Sequence, residues 1–92
     1  MRTEKIRVSN MISDRGNTIA NQFIIRTNKG RYFQSYSSTI VFIDNNNKVF
    51  LDEYYWDYSR TTGKYRNNFL NEYIDETRSK IKNGEYKLKN LN

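Results

Sequence analysis

Three carboxylates and four aromatic rings crowd into one stretch, Asp52-Glu53-Tyr54-Tyr55-Trp56-Asp57-Tyr58. Paired carboxylates are the groups that general acid–base chemistry would use. Read as a strand, however, the stretch puts Asp52 on one face and Glu53 and Asp57 on the other, so no pair converges. A metal ion would need more oxygen ligands than so short a strand offers. Tyr and Trp are the usual anchors of protein interfaces. In a small domain Trp56 reads first as a core anchor. The stretch is therefore either core with a solvated rim or an interface. In the interface reading Tyr55 and Tyr58 are the contact residues, flanked by Arg60 and Lys64.

Two further groupings invite an anion. Arg26, Lys29 and Arg31 surround one predicted hairpin tip, with Tyr32 beside them. Lys and Arg contact phosphates, and unpaired bases stack on rings. The competing reading is an ordinary solvated loop. Ser59-x-Thr61-Thr62, followed by Lys64 and Arg66, suggests a phosphate at a helix N-terminus, where backbone N–H groups are free. The glycine spacing of a phosphate loop is missing, and capping alone accounts for the hydroxyls.

Absent residue types exclude whole classes of function. The 92-residue chain contains no His, Cys or Pro. Zinc sites built on Cys and His, disulfides, thiol nucleophiles and Ser-His-Asp triads are ruled out. Carboxylate, Lys or Tyr catalysis remains, and no constellation points to it, so the expectation is a non-enzymatic protein without a cofactor. The balance is basic, with a net charge of +6. Residues 1–43 carry seven basic and two acidic side chains, 44–59 one and four, and 60–92 eight and four, so two basic arms flank an acidic, aromatic middle. Such a balance attracts polyanions. No run approaches the roughly eighteen apolar residues of a membrane span, and Met1–Lys5 leads into a strand-like segment instead of an apolar signal core. A cytoplasmic protein is expected, with nothing to indicate its oligomeric state.

The elements that would carry these groups can be read from periodicity. Length allows one domain, 1–92. Residues 4–9 alternate, with Ile6 and Val8 predicted to face a core. Asp14-Arg15-Gly16-Asn17 signals a turn. Residues 19–27, with Ile19, Phe23 and Ile25 on one face, and residues 31–36 form a hairpin around Asn28-Lys29-Gly30. Residues 37–43 are β-branched and read as a strand, with a short helical turn capped by Ser-Ser-Thr as the alternative. Asp44–Asn47 turns the chain into a strand over 48–56, both of whose faces are partly covered. Tyr65, Phe69, Leu70, Tyr73, Ile74, Thr77 and Ile81 lie on one helical stripe, formed by one helix or by two with a break near Asn71. Phe69, Tyr73 and Ile81 are expected to pack on the sheet, joined by Leu70 and Ile74. Ser59, Thr61 and Thr62 are N-cap candidates and Asn83-Gly84 is a stop. Residues 85–89 could add an edge strand guarded by lysines. The predicted fold is α+β: an antiparallel meander of about four or five strands with one helix or a broken helix pair on one face.

Several of these residues form a spaced pattern: Ser35-Tyr36, Ile40-Val41, Trp56-Asp57-Tyr58-Ser59-Arg60-Thr61-Thr62-Gly63-Lys64-Tyr65-Arg66 and Phe69-Leu70. The pattern resembles a group of small accessory proteins carried by phages and mobile elements of low-GC Gram-positive bacteria. It covers roughly residues 20–91, and the Trp-to-Thr-Thr segment is its most specific part. The group as a whole has no established activity, so it assigns no role to any residue here. It implies a context, an accessory gene of a mobile element, and such genes often encode inhibitors of host defence, including anti-CRISPR proteins, or small regulators.

Two binding functions follow. One is an inhibitor of a bacterial defence protein or ribonucleoprotein, acting through Tyr55, Tyr58, Arg60 and Lys64. The other is a basic module for single-stranded DNA or RNA, acting through Arg26, Lys29, Arg31 and Tyr32. Eight Tyr and thirteen Asn suit a contact surface in either case, because Tyr offers apolar and polar contact at little entropic cost.

Overall fold

The computed structural model describes residues 5–92. Its elements are β1 (Arg7–Ile12), β2 (Thr18–Thr27), β3 (Gly30–Ser35), β4 (Ser38–Asp44), β5 (Val49–Asp52), α1 (Arg60–Leu70), α2 (Ile74–Lys82) and β6 (Tyr86–Lys89). The α+β class is as expected, but the sheet has six strands, ordered as in the sequence. Four pairings are antiparallel, and β6 joins β5 in parallel. A parallel neighbour needs a long crossover, and the two helices supply it. Residues 38–43 are strand, within β4, while Ser37 belongs to the turn before it.

Hairpin chemistry sets the registers. Gly16 takes φ +81 in the β1–β2 turn, where its N–H donates to the Ser13 carbonyl. At the β2–β3 turn Gly30 has φ +147, and a Cβ there would overlap the Ile43 carbonyl oxygen. No other residue fits that close approach of β3 to β4.

One face of the sheet is buried under the helices. Ile24, Phe33, Val41 and Leu51 lie directly opposite one another across β2 to β5. Phe33, Val41 and Leu51 are fully buried, as is Ile40. Tyr65, Phe69, Leu70 and Ile81 pack against this cluster, and the Phe69 ring stacks on Phe33 at 5.7 Å. The opposite face carries no helix. Its central row reads Val8, Ile25, Tyr32, Phe42, Phe50, Lys87.

Four expectations are corrected here. Ile6 and Val8 are 59% and 61% exposed: β1 begins later than predicted, and Met11 is its buried residue. Glu4, the start of the predicted strand, lies outside the described residues. Ile24, not Ile25, faces the core, because Asn21 at φ +64 interrupts the alternation of β2. The strand predicted to reach Trp56 ends at Asp52, whose carboxylate accepts the N–H groups of Tyr54 and Tyr55 and folds the chain into a turn. Tyr73 is 78% exposed. The helical stripe breaks at Asn71, which is left-handed at φ 56, and the break rotates Tyr73 off the core to the position before α2.

Candidate functional site

The N-terminus of α1 is built from the Trp-to-Thr-Thr segment. Ser59 is extended (φ −148, ψ 158), and its Oγ accepts the Thr62 N–H at 3.1 Å. That is an N-cap. Thr62 Oγ1 lies 2.9 Å from Ser35 Oγ, and both residues are fully buried, which ties α1 to β3. One turn further on, Arg66 is 1% exposed. Its Nη1 donates to the Trp56 carbonyl at 2.6 Å and to Asp57 at 3.1 Å, and its Nη2 donates to Asn67 at 3.0 Å. The guanidinium also lies 5.4 Å from the Trp56 ring centre. Ser59, Thr62 and Arg66 therefore hold the loop in place.

That loop and the start of α2 border an open, shallow groove of ≈ 650 Å³, lined in part by Tyr58, Arg60, Lys64, Tyr73 and Arg78. Asp57, the groove's carboxylate, bridges Arg66 and Arg78, at 3.1 and 3.5 Å. Arg60 and Lys64 have no carboxylate within ion-pair distance among the described residues, so the lining is net cationic. Tyr58 is 50% exposed. Tyr58, Arg60 and Lys64, singled out from the sequence, are brought together here. Tyr55 is not: it is half-buried against the core and touches Tyr54 and Tyr58 edge-on, at 4.7 and 5.3 Å. Tyr73 was expected in the core and Arg78 was given no role, because the stripe left one helix or two open and only the break at Asn71 brings both to this groove.

The hairpin tip is divided. Arg26 and Arg31 are opposite each other, and Arg7 is opposite Arg26, so all three share the helix side of the sheet. Tyr32, the next residue in β3, points to the other side and stacks on Phe42 at 4.5 Å with planes 24° apart. Phe42 stacks in turn on Phe50, and Lys89 lies over the Phe50 ring at 5.4 Å. The rings cover one another's faces, so Tyr32 has no place beside the arginines in a base-stacking site. The expected grouping of Arg26, Lys29, Arg31 and Tyr32 is corrected on that point, and Arg7 joins the cations in its place.

The buried carboxylates are occupied by the fold. Asp52 accepts from the N–H groups of Leu91, Tyr54 and Tyr55 and from the Asn92 side chain. Burial pushes its carboxyl up, but these hydrogen bonds outweigh it and hold the pKa below the ordinary value. Glu72, between the helices, accepts from Lys80 at 2.8 Å, from Tyr86 Oη at 2.7 Å and from Thr77. There too burial raises the carboxyl and the donors, Lys80 first, bring it below the usual range. The Tyr86 phenol is pushed up to about 12 by its own burial and by the Glu72 carboxylate. No group of three or more acidic side chains among the described residues could hold a metal ion. Among the described residues, no helix is long and apolar enough to cross a membrane.

No curated protein and no solved structure matches the chain. A family profile matches residues 6–85, and the chain belongs to that family, which is described as a family of unknown function (DUF8033).

Proposed function

We propose that this is a non-enzymatic binding protein whose groove at the start of α1 takes single-stranded nucleic acid. The observation that carries the reading is the meeting of two exposed tyrosines, Tyr58 and Tyr73, with Arg60, Lys64 and Arg78 in one groove. Rings that stack on bases, set beside cations that contact phosphates, are what sequence-tolerant single-strand binding uses. A net charge of +6 favours encounter with any polyanion.

The test is titration of fluorescent single-stranded oligonucleotides, DNA and RNA, over a range of salt. Each phosphate contact adds about 0.7 to the slope of log K against log salt for a single strand. Arg60→Ala/Lys64→Ala should flatten that slope, and Tyr58→Ala/Tyr73→Ala should weaken binding by about 1–3 kcal/mol per stacked base. An absence of binding at low salt overturns the reading.

A second reading is an anti-CRISPR-like inhibitor from a phage or mobile element, acting in the host cytosol on a defence protein or ribonucleoprotein. It rests on the resemblance of the Trp-to-Thr-Thr segment and on one observation: Tyr54 is 75% exposed and Tyr58 50%, with Tyr55 between them, an aromatic cluster of the kind that dominates protein interfaces. Capture from a bacterial lysate with and without nuclease separates the two. A partner retained after nuclease treatment and lost in Tyr55→Ala/Tyr58→Ala, with the fold intact by circular dichroism, supports the inhibitor. Nucleic acid captured without an accompanying protein, and lost on nuclease treatment, supports the first reading.

A further inference from the structure

Arg7, Arg26 and Arg31 occupy directly opposed positions on three adjacent strands. Directly opposed side chains sit about 5 Å apart at Cβ, and like charges there destabilise a sheet. None of the three forms an ion pair among the described residues. Packing does not call for arginine either, because Arg7, Arg26 and Arg31 are all exposed. The same row continues inward as Ile43, Val49 and Tyr86. The fold thus carries an electrostatic cost at its rim that threonine at position 26, which is opposite both other arginines, would remove and that threonine at 7 or 31 would reduce.

The row borders a hollow. Lys5, Arg7, Arg26, Thr27 and Asn28 line a space of ≈ 230 Å³, with neutral donors set beside the cations. Asp44, at the same end of the sheet, accepts the N–H groups of Asn46 and Lys48 to close its own turn. Asp14 belongs to the β1–β2 turn at the far end of the strands.

We propose that Arg7, Arg26 and Arg31 form a phosphate-binding strip that holds the backbone of the nucleic acid at a second place. Three guanidinium forks in a line suit phosphate oxygens, which they can contact in bidentate fashion. The strip is separate from the groove. Gln22 is opposite Ser35, which bonds to Thr62 at the start of α1, and Arg26 lies four residues further along β2, roughly 13 Å away. The strip rests on the nucleic-acid reading above for the identity of its ligand, but its phosphate chemistry can be tested without it.

The experiment compares wild type with Arg26→Thr and Arg26→Thr/Arg31→Thr, using inorganic tripolyphosphate and a single-stranded oligonucleotide as probes. Tripolyphosphate should raise the melting temperature of wild type and lose that effect in the double variant. Without ligand, both variants should melt at or above wild type. The oligonucleotide's salt slope should fall by about 0.7 for each phosphate that is no longer neutralised. A tripolyphosphate shift that survives in the double variant, or variants that melt well below wild type without ligand, overturns the strip. Should the oligonucleotide bind with an unchanged slope, the strip fails and the groove reading stands. Should it not bind while tripolyphosphate acts through the arginines, the strip stands as a site for small polyphosphates and the nucleic-acid reading fails.

Discussion

Glu72 and Arg26 are both charged groups set among other ionisable side chains, and the fold treats them in opposite ways. Glu72 is 9% exposed, and it accepts from three donors, Lys80, Tyr86 and Thr77. Arg26 is exposed and faces two more arginines. The first arrangement neutralises its charge internally. It joins the turn between α1 and α2 to β6, the strand that closes the parallel edge of the sheet. The second forms no ion pair among the described residues. A buried carboxylate with three donors is explained by stability alone, whereas a row of like charges is explained by something that binds to it.

The largest effect should come from the first region. Glu72→Ala strands the Tyr86 hydroxyl in the interior, leaves the Thr77 hydroxyl only its long bond to the Tyr73 carbonyl at 3.4 Å, and leaves Lys80 without its partner. Breaking a buried pair from one side costs about 3–5 kcal/mol, and Lys80, whose side chain is 32% exposed, recovers some of that by hydration. A loss of about 3 kcal/mol is therefore expected in urea unfolding, which is much of the stability of a 92-residue domain. A midpoint within experimental error of wild type would mean that the network does not hold β6 in place.

The same network sets a pH window. Glu72 and Asp52 have folded pKa values held below their ordinary 4.5 and 3.8. The unfolded chain takes up protons that the folded one resists, so stability falls as pH drops below about 4.5. On the alkaline side the Tyr86 phenol is raised from 10 to about 12. The unfolded phenol ionises first, and the stability it contributes below about pH 10 is lost as pH rises toward about 12. Lys80 is shifted upward by its hydrogen bond to Glu72, so it acts in the same direction. Thermal melts from about pH 3 to about pH 11 should show both limbs, and Glu72→Gln should flatten both.

Much of this architecture was legible because local signals agreed with one another. Gly30 after Asn28-Lys29 marked the β2–β3 hairpin, Ser59 was one of three N-cap candidates for α1, and the stripe from Tyr65 to Ile81 marked the helical region with a break near Asn71 as one of two alternatives. What escaped was long-range. Nothing in the spacing of Glu72, Lys80 and Tyr86 announces that they meet, because the meeting depends on the parallel return of β6. The three consecutive apolar residues Phe23-Ile24-Ile25 do not say which of them faces inward, and Asn21 decides it. At the candidate site, Tyr58, Arg60 and Lys64 are near neighbours in the chain, so their grouping could be foreseen. Tyr73 and Arg78 join them only through the helix break. Arg7 is nineteen positions from Arg26, and only the β1–β2 register aligns them.

The smallest expected effect is also the sharpest test of the comparison, because it predicts a gain. Arg26→Glu places a carboxylate between two guanidinium groups on adjacent strands. Two like-charge contacts become two opposite-charge contacts, each worth roughly 0.2–1 kcal/mol on a sheet surface. The free protein should therefore melt a few degrees higher in low salt, and the gain should shrink as salt screens it. Phosphate ligands should stop stabilising it, since the strip's central cation is replaced by a group that repels them. A variant that is more stable and binds less would mean that Arg26 is held in place at a cost to the fold, as residues kept for binding are. If Arg26→Glu instead lowers the melting temperature, Arg26 serves the sheet, and the contrast with Glu72 dissolves.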